Sequence, residues 1–538
     1  MRDQPLQRND TDFVRRAEYL GAILISLVIL FLLVVRATHA GGLWRDECAT
    51  MRYAGGSSLA EVREMFPFPL LQAAIIRVHT ILFGKSDASL RCLGIIAGVS
   101  LIGVAWLGAH SHRIGAPLTL LSLLGLNSMF LISGTTVRGY GLGSVIAILI
   151  ASLVARVLVN SSAAAVIVLL LAFLAAPQLL VHDAPLMLTI AIAAIAVCIF
   201  RGRWKLAMLL FAMAALTAPC CLPYLAANAP GNSNIVLKYP ISFAGVWYNF
   251  TLACGPPEWI TPWAWIALIV LAVAAAVWRL ATTLRDPSSS ESDLLLFGIF
   301  LGIASVLGYF VFLRILNYWP HPWYYLPLLA VMAVAIDLII GSLPFRLMRW
   351  ARLIFAVILG TVLAIAGWPK LLERQTNIDI IATGLEKKAD ANDLIVVNPW
   401  DRGVSFNWYY RGPARWITVP MMSEHRRHRY DLLKAKMMSA HPLDDLFASI
   451  AEKLRSGNRV WLVGGAHLLN PGEFPHWLPP APNSEFGWNN DAYRNSWSQE
   501  LGAFVQEHAE RLEISESPGT LVNDVEKEPV WLLEGWRD

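Results

Sequence analysis

Charged side chains are scarce in this chain. Asp, Glu, Lys and Arg make up 15% of its 538 residues, whereas hydrophobic residues make up 56% and the mean hydropathy is +0.51. Soluble domains carry roughly 25% charged residues. The composition therefore excludes an ordinary soluble enzyme and predicts a polytopic membrane protein that uses the lipid bilayer as a partner. The formal net charge of +4 is small and spread over loops, which excludes the concentrated basic surface of a nucleic-acid-binding protein.

Cysteine is also sparse, and its spacing resembles no zinc site. There are six cysteines, and none follows residue 254. Cys254 could pair with Cys220 or Cys221, but buried free thiols fit the sequence as well. A cleavable signal peptide is not indicated, because the apolar run 20–35 is too long for an h-region and lacks a small-residue cleavage site. We therefore interpret that run as a retained first helix.

Apolar runs recur along the first 370 residues. Each approaches the roughly 20 residues needed to cross a bilayer, which predicts about eleven transmembrane helices in a mainly α-helical domain over residues 1–370. We place them near 19–36, 89–109, 116–133, 140–159, 163–180, 184–200, 205–226, 262–282, 294–313, 323–341 and 351–368.

Positive charges between these runs predict the orientation. Lys and Arg flank the membrane mainly in the N-terminal segment and near 110–113, 156, 201–205, 279–293 and 346–352. The positive-inside rule assigns such segments, and with them the N-terminus, to the cytoplasm. An odd number of crossings then places the C-terminus outside the cytoplasm. The first external loop, residues 39–88, lies on that side.

The composition changes sharply after residue 370. Residues 371–538 are polar and rich in Trp, Arg and His, and their length suits one small soluble domain. Buried strands are predicted at 393–397 and 459–463, after helices at 378–388 and 443–455, so the tail is expected to be an extracytoplasmic α/β domain. Gly464 and Gly465 lack the rest of a glycine fingerprint, and we interpret them as a turn.

Several polar residues fall at the predicted external ends of apolar helices. Asp46 and Glu47 directly follow the first helix, and a carboxylate pair at the membrane surface is costly unless it is solvated, paired or used. The same face is predicted to carry Arg138, Tyr140, His182, Asp183, Arg314, Tyr318 and His321. Helix ends that converge on one aqueous cavity can build a site for chemistry at the outer interface.

Several of these stretches, in this order, resemble one family. They are 44–47 after the first helix, 66–69 before an amphipathic helix, 138–140 before helix four, and 314–327. Together they are similar to the GT-C membrane glycosyltransferases of the family 39 type, which include protein O-mannosyltransferases and the aminoarabinose lipid A transferase. His182 falls where many members carry a histidine. The similarity covers residues 19–370, with Phe66-Pro67-Phe68-Pro69 where the family often has His-Pro-Pro, and Gly139 where proline is usual.

The resemblance implies a reaction. A monosaccharide would move from a polyprenyl-phosphate donor to a glycan, lipid or protein acceptor, with inversion at the anomeric carbon. The reaction would take place on the external face of a bacterial plasma membrane, with the C-terminal domain in the periplasm or medium. Asp46 would be the general base, a role typically worth ~10²–10⁴-fold in rate. Adjacent side chains diverge on a helix, so Glu47 would orient the loop, bind acceptor or, with Asp46, help to hold a divalent cation. The sequence establishes no cofactor and leaves a divalent cation open.

The resemblance also assigns the remaining residues. Arg314 and Arg138 would bind the donor phosphate, with Tyr318 or His321 in support, because a planar guanidinium matches phosphate oxygens. The sugar or acceptor pocket would be lined by His182, Asp183 and Tyr140.

Structural interpretations remain open beside these roles. Asp46 could simply cap a helix at 47–53, and Arg138 and Arg314 could contact lipid headgroups. His182 could be a hydrogen-bonded helix-end residue, and the aromatic residues at 318–325 could be an interfacial belt. A transporter or flippase of lipid-linked sugars is the alternative function, but the predicted helix centres are nearly uncharged. A ligase or polymerase of lipid-linked saccharides is a neighbouring enzyme class.

Overall fold

The computed structural model describes residues 4–56, 69–112, 114–227, 241–283, 290–316, 319–343, 346–483, 490–515 and 519–538. These residues form two compact units. The membrane unit comprises the described residues within 1–38, 69–224 and 241–371. The tail unit comprises those within 39–68, 225–240 and 372–538.

The membrane unit is built from helices. Its long helices are α1 (Gln4–His39), α3 (Leu70–Phe83), α4 (Asp87–His112), α5 (Tyr140–Val159), α6 (Ala163–Leu179), α7 (Ala184–Phe200), α8 (Trp204–Ala227), α9 (Phe243–Ala253), α10 (Thr261–Thr283), α11 (Ser290–Leu316), α12 (Leu326–Ser342) and α13 (Arg346–Leu371). Short 3₁₀ turns at Val181–Asp183 and Pro322–Tyr325 lead into α7 and α12.

Among the described residues, nine helices are long and apolar enough to cross a membrane. They are α1, α4, α5, α7, α8 and α10 to α13, two of them extended by the 3₁₀ turns, and each coincides with one predicted crossing. The predicted crossing at 163–180 is the 17-residue helix α6, which is shorter than the nine.

The predicted crossing at 116–133 is not a continuous α-helix. It contains a short α-turn (Leu118–Leu120) and two π-helical turns (Leu121–Gly125 and Phe130–Gly134). Backbone groups freed by such breaks need partners inside a bilayer. Asp337 of α12 accepts from the N–H groups of Thr119 (3.1 Å) and Leu120 (3.0 Å), and the Asn127 side chain donates to the carbonyl of Ala253 (2.8 Å). The apolar run at 116–133 therefore predicted one transmembrane helix and did not predict this interrupted path.

Helix α12 is the most buried of the nine, with 89% of its apolar 18-residue stretch buried inside the protein. It packs against α5, α10 and α11. An all-round apolar helix suits that central position. Its one acidic residue, Asp337, lies 3.7 Å from Arg352 of α13, whose other nitrogen donates to Glu18 of α1 (2.6 Å).

The tail unit contains a five-stranded mixed sheet in the order β2-β1-β3-β5-β4. The strands are β1 (Leu394–Val397), β2 (Arg415–Thr418), β3 (Val460–Val463), β4 (Ala509–Ser515) and β5 (Val530–Trp536). Strands β1, β2 and β3 are parallel, with Val396 opposite Ile417 and Leu462, while β5 runs antiparallel to β3 and β4.

Helices cover both faces of this sheet. They are α14 (Ile378–Lys388), α15 (Arg402–Tyr409), α16 (Tyr430–Met437), α17 (Asp444–Arg455) and α18 (Asn490–His508). Leu394 and Val396 of β1 belong to one apolar core, and Ile395 and Val397 to the other, because successive side chains point to opposite faces. The predicted helices and strands near 378–397 and 443–463 are confirmed. So is the fold class, a mainly α polytopic membrane protein with a C-terminal α/β domain.

Residues 39–56 also belong to the tail unit. They include helix α2 (Arg45–Ala54), which packs on α15. The stretch before α2 is held by two hydrogen bonds, from the Gln375 N–H to the Ala40 carbonyl (2.8 Å) and from the Leu43 N–H to the Tyr409 hydroxyl (2.5 Å). The predicted acidic pair therefore lies on a helix that is folded together with the tail.

Candidate active site

Three separate segments of the membrane unit bring aromatic and basic residues together. Arg138 donates to the Tyr140 hydroxyl (3.1 Å), and its guanidinium carbon lies 5.4 Å from the centre of the same ring. The Tyr140 ring packs against Tyr324 and Trp323, with centroid distances of 5.7 and 6.4 Å. A cation over an aromatic face is attracted by the ring quadrupole, so Tyr140 holds the Arg138 side chain in place.

Both predicted histidines belong to the same cluster. His182 stacks on Tyr324 at 4.6 Å, and His321 stacks on Trp323 at 4.6 Å. His321 also meets the Tyr324 ring edge-on at 5.5 Å. The structure thus gathers Arg138, Tyr140, His182 and His321 around Tyr324; we call these five residues the membrane cluster.

Gly139 allows the turn that carries Arg138 to pack closely against its neighbours. A Cβ atom at this position would lie 2.3 Å from the Leu179 carbonyl oxygen and 3.0 Å from the Gln72 side-chain oxygen. Gln72 in turn donates to the Val137 carbonyl (2.7 Å). The turn is therefore clamped between α3 and α6, and only a residue without a side chain permits so close an approach.

Asp183 is fully buried, and neither of its carboxylate oxygens has a hydrogen-bond partner among the described residues. It lies just before α7, and Gly143 of α5 leaves the space beside it, because a Cβ there would lie 2.6 Å from the Asp183 carboxylate. Burying a carboxyl group without a hydrogen bond costs free energy. Buried ionisable groups of this kind in membrane proteins usually occur where the group contacts a ligand or takes part in chemistry.

Arg314, a predicted donor contact, is not joined to the membrane cluster by any contact among the described residues. Arg314 is exposed near the end of α11 and donates to the Ile241 carbonyl (2.5 Å), and no hydrogen bond or ring contact in the described part of the chain connects it to Arg138. Tyr318 lies outside the described residues. Tyr324 and Tyr325 are 5% and 2% exposed, so these two of the aromatic residues at 318–325 pack inside the protein.

In the tail unit, the two adjacent acids of α2 have different surroundings. Trp44 is the N-cap residue, and the buried Glu47 side chain reaches back to accept from the Trp44 N–H (3.3 Å) in a capping box. Asp46 does not cap the helix, so that interpretation is wrong. Its side chain is 20% exposed, and its Oδ1 lies 3.8 Å from His428 Nε2.

Aromatic rings surround the Asp46–His428 contact. His428 packs edge-on against Trp400 (5.9 Å) and stacks on Tyr430 (6.0 Å). Burial raises the pKa of Tyr430 to about 12, and the negative charge of Asp46 acts in the same direction. Tyr430 therefore remains a neutral neighbour of the carboxylate at physiological pH.

An ion-pair network anchors the start of α2. Arg45 pairs with Glu526 (3.2 Å) and Asp401 (3.4 Å), and its backbone N–H also donates to Glu526 (3.1 Å). Asp401 also pairs with Arg402 (3.0 Å), and Arg494 lies 3.7 Å away. Burial alone would raise the pKa of Asp401, but these three arginines outweigh it and hold the pKa below its usual range. Asp401 is therefore ionised in the folded tail.

Sequence reasoning missed the tail residues that contact α2. The stretch His425-Arg426-Arg427-His428-Arg429 was a visible signal, because it concentrates basic residues in one loop. Nothing local identified Asp46 as the partner of His428. Within the described residues, no group of three or more His, Cys, Asp or Glu side chains is placed to hold a metal ion, and the six cysteines, all described, are free thiols.

No protein-family model and no curated protein matches this sequence. Among solved structures, the chain is similar to ArnT from Cupriavidus metallidurans bound to undecaprenyl phosphate, with a TM-score of 0.48 and 14% identity, covering 82% of this chain and 92% of that chain. It is also similar to the Archaeoglobus fulgidus oligosaccharyltransferase in the apo form, with a TM-score of 0.47 and 10% identity, covering 82% of this chain and 69% of that chain.

The same oligosaccharyltransferase tethered with an acceptor peptide containing the NVT sequon gives a TM-score of 0.47 and 9% identity, covering 93% of this chain and 73% of that chain. All three similarities lie below a TM-score of 0.5. The functional roles of residues in this chain rest on its own contacts.

Proposed function

We propose that this chain is a membrane glycosyltransferase that moves a monosaccharide from a polyprenyl-phosphate donor to an acceptor hydroxyl. The transfer would take place on the external face of a bacterial plasma membrane. The observation that carries the proposal is the difference in surroundings between two adjacent acids at the start of α2. Glu47 is buried in the helix cap, whereas Asp46 keeps a partly exposed carboxylate at the surface of the tail unit.

Asp46 is proposed as the general base. As the acceptor oxygen attacks the anomeric carbon, its proton passes to the Asp46 carboxylate and the bond from that carbon to the phosphate oxygen breaks. Attack from the opposite side inverts the anomeric configuration. The leaving polyprenyl phosphate is already a stable anion, so donors and positive charge around it suffice and no general acid is needed.

Arg138 is proposed as the principal contact of the donor phosphate. Its guanidinium is held against Tyr140 and sits in a cluster with two histidines, which suits the planar, doubly hydrogen-bonded recognition of phosphate oxygens. Arg314 is a second candidate contact, since it is an exposed basic residue near the end of α11. His182 and Asp183 would line the sugar pocket. The acceptor would be a glycan, a lipid or a protein hydroxyl.

The test is transfer of labelled sugar by the full-length protein in nanodiscs. A panel of undecaprenyl-phosphate hexoses and pentoses would be offered with cell-envelope extract as acceptor. Asp46→Asn should lower kcat by ~10²-fold or more while donor binding is retained, because the base acts only in the transition state. Arg138→Gln should instead weaken donor binding. Nuclear magnetic resonance of the product would show whether the anomeric configuration is inverted.

Arg426→Gln is the matched control, because Arg426 is exposed and pairs with Glu424, which lies two residues away in the chain. It should transfer sugar at the wild-type rate. If the wild-type protein consumes no donor in the panel, the glycosyltransferase proposal fails. Movement of a fluorescent lipid-linked sugar across the bilayer by the same preparation would then favour a flippase.

A further inference from the structure

The residue that faces the proposed base comes from the C-terminal α/β domain. His428 lies in the loop between β2 and α16, and its Nε2 is 3.8 Å from Asp46 Oδ1. Residues 39–56 and the tail belong to one compact unit, so this contact is part of a single folded body. We propose that His428 is a positioning residue for Asp46, so that the soluble domain completes the base of the transfer reaction. The inference rests on the proposed function.

The loop that carries His428 is held at both ends. At its start the Thr418 hydroxyl donates to the Pro420 carbonyl (2.8 Å) and accepts from the Met422 N–H (3.1 Å). At its end Arg429 pairs with Asp431 (2.7 Å). These contacts lie on either side of His428, so the ring is presented from an anchored loop rather than from a long unsupported one.

Packing also restricts the orientation of the imidazole. Trp400, which is 2% exposed, meets the ring edge-on, and Tyr430 stacks on one face of it. In the ring held by these two contacts, Nε2 lies 3.8 Å from the Asp46 carboxylate. Only 15% of the His428 side chain is exposed, which leaves the ring little freedom to turn away.

The separation of 3.8 Å between the two atoms is too long for a hydrogen bond. A small rotation of one side chain would bring them within hydrogen-bonding distance. Catalytic hydrogen bonds are often long before substrate binds and tighten in the productive complex. A carboxylate has two oxygens, so one can accept from the His428 N–H while the other receives the proton of the acceptor. The effect of His428 is to fix the direction in which Asp46 points.

The competing explanation is that His428 only fills space between Trp400 and Tyr430. Two substitutions separate these roles in the full-length protein. His428→Phe keeps an aromatic ring for packing but removes the nitrogen, whereas His428→Gln keeps a donor but changes the packing. Arg426→Gln in the same loop and His441→Gln, at an exposed position, are the controls.

We expect His428→Phe to lower kcat by about tenfold or more and to leave KM nearly unchanged, because misplacing a base forfeits part of its ~10²–10⁴-fold contribution. His428→Gln should recover part of that loss through its donor. The double variant Asp46→Asn/His428→Phe should be no slower than Asp46→Asn alone, because residues that act through each other are not additive. In His428→Ala, added imidazole should restore part of the rate.

Three results would overturn the inference. One is wild-type kcat in His428→Phe, which would leave packing as the only role. The second is a double variant in which the two losses multiply. The third is a loss of activity in His428→Ala that imidazole does not reverse, as expected if the tail had only been destabilised. If Asp46→Asn itself transfers sugar at the wild-type rate, the proposed role of Asp46 as base is wrong. If instead Asp46→Asn is slow and His428→Phe is as fast as the wild type, only the role of His428 is wrong.

Discussion

Removal of the Arg45 guanidinium tests whether the tail holds helix α2 in place. Arg45 joins α2 to two acids of the tail unit, Glu526 at 3.2 Å and Asp401 at 3.4 Å. Glu526 is fully buried and also accepts from the Ser405 hydroxyl (3.3 Å). Arg45→Gln keeps the backbone N–H bond to Glu526 and removes the charge, the two ion pairs and the contact of the guanidinium with the Trp44 ring (5.3 Å).

The expected cost follows from the geometry. At 3.2 Å and an effective dielectric constant of 20, the Arg45–Glu526 attraction is about 5 kcal/mol before desolvation is subtracted. Removing one partner of a buried pair typically costs ~3–5 kcal/mol. Arg45 is 19% exposed, and burial already raises the pKa of Glu526 against the pull of Arg45 and Arg402, so the variant can relieve part of the penalty by protonating Glu526. We therefore expect local destabilisation of α2 by about 2 kcal/mol.

Hydrogen exchange on the intact protein measures this quantity directly. A loss of about 2 kcal/mol corresponds to exchange roughly 30-fold faster in peptides covering residues 45–54. Arg426→Gln, which breaks an exposed pair, should leave those peptides at the wild-type rate. Wild-type exchange in Arg45→Gln would refute the reasoning, because it would mean that the network does not hold α2. Sugar transfer should fall with the loss of protection, since α2 carries Asp46.

Two further predictions concern buried acids. The pKa of Asp401 is depressed in the folded state, so its ionised form stabilises the tail above about pH 4 and that stabilisation is lost as the pH falls further. The thermal midpoint of tail tryptophan fluorescence should therefore drop more between pH 6 and pH 3 in the wild type than in Asp401→Asn, and equal slopes would contradict the assignment. Asp183→Asn should keep or raise the thermal midpoint, because the buried carboxyl lacks a partner among the described residues, yet lower sugar transfer. Unchanged transfer would remove Asp183 from the site, and Thr189→Ser, a nearby conservative change in α7, serves as its control.

Local signals account for the parts of the fold that sequence predicted well. The run at 140–159 is both apolar and of spanning length, and helix α5 has those bounds. The helix at 378–388 follows from apolar residues at helical spacing, and the strand after it follows from a short continuous apolar run; both are present. Such elements need no information from distant parts of the chain, because hydrophobic period and length suffice.

The membrane cluster was partly predictable for a different reason. A topology assigned from apolar runs and flanking charges puts Arg138, His182 and His321 at the same end of the bundle, and the structure places them around Tyr324. Topology places Arg314 at the same end of the bundle, but in the structure Arg314 donates to the Ile241 carbonyl and not to the membrane cluster. Which of several residues at one helix end meet is decided by helix packing, and that depends on side chains far apart in sequence.

The acidic pair shows where sequence reasoning stops. Adjacent residues on a helix differ by about 100° in direction, so the chain was expected to give Asp46 and Glu47 different roles. Helix chemistry then decides which of the two is structural: a glutamate three residues after the N-cap can reach back to it, and Glu47 occupies that position. The partner of Asp46 is His428, a residue of the distant C-terminal domain, and no local pattern predicts that contact. Because the tail contacts α2 through both Arg45 and Asp46, changes in the soluble domain should affect the base even when the membrane unit is unaltered.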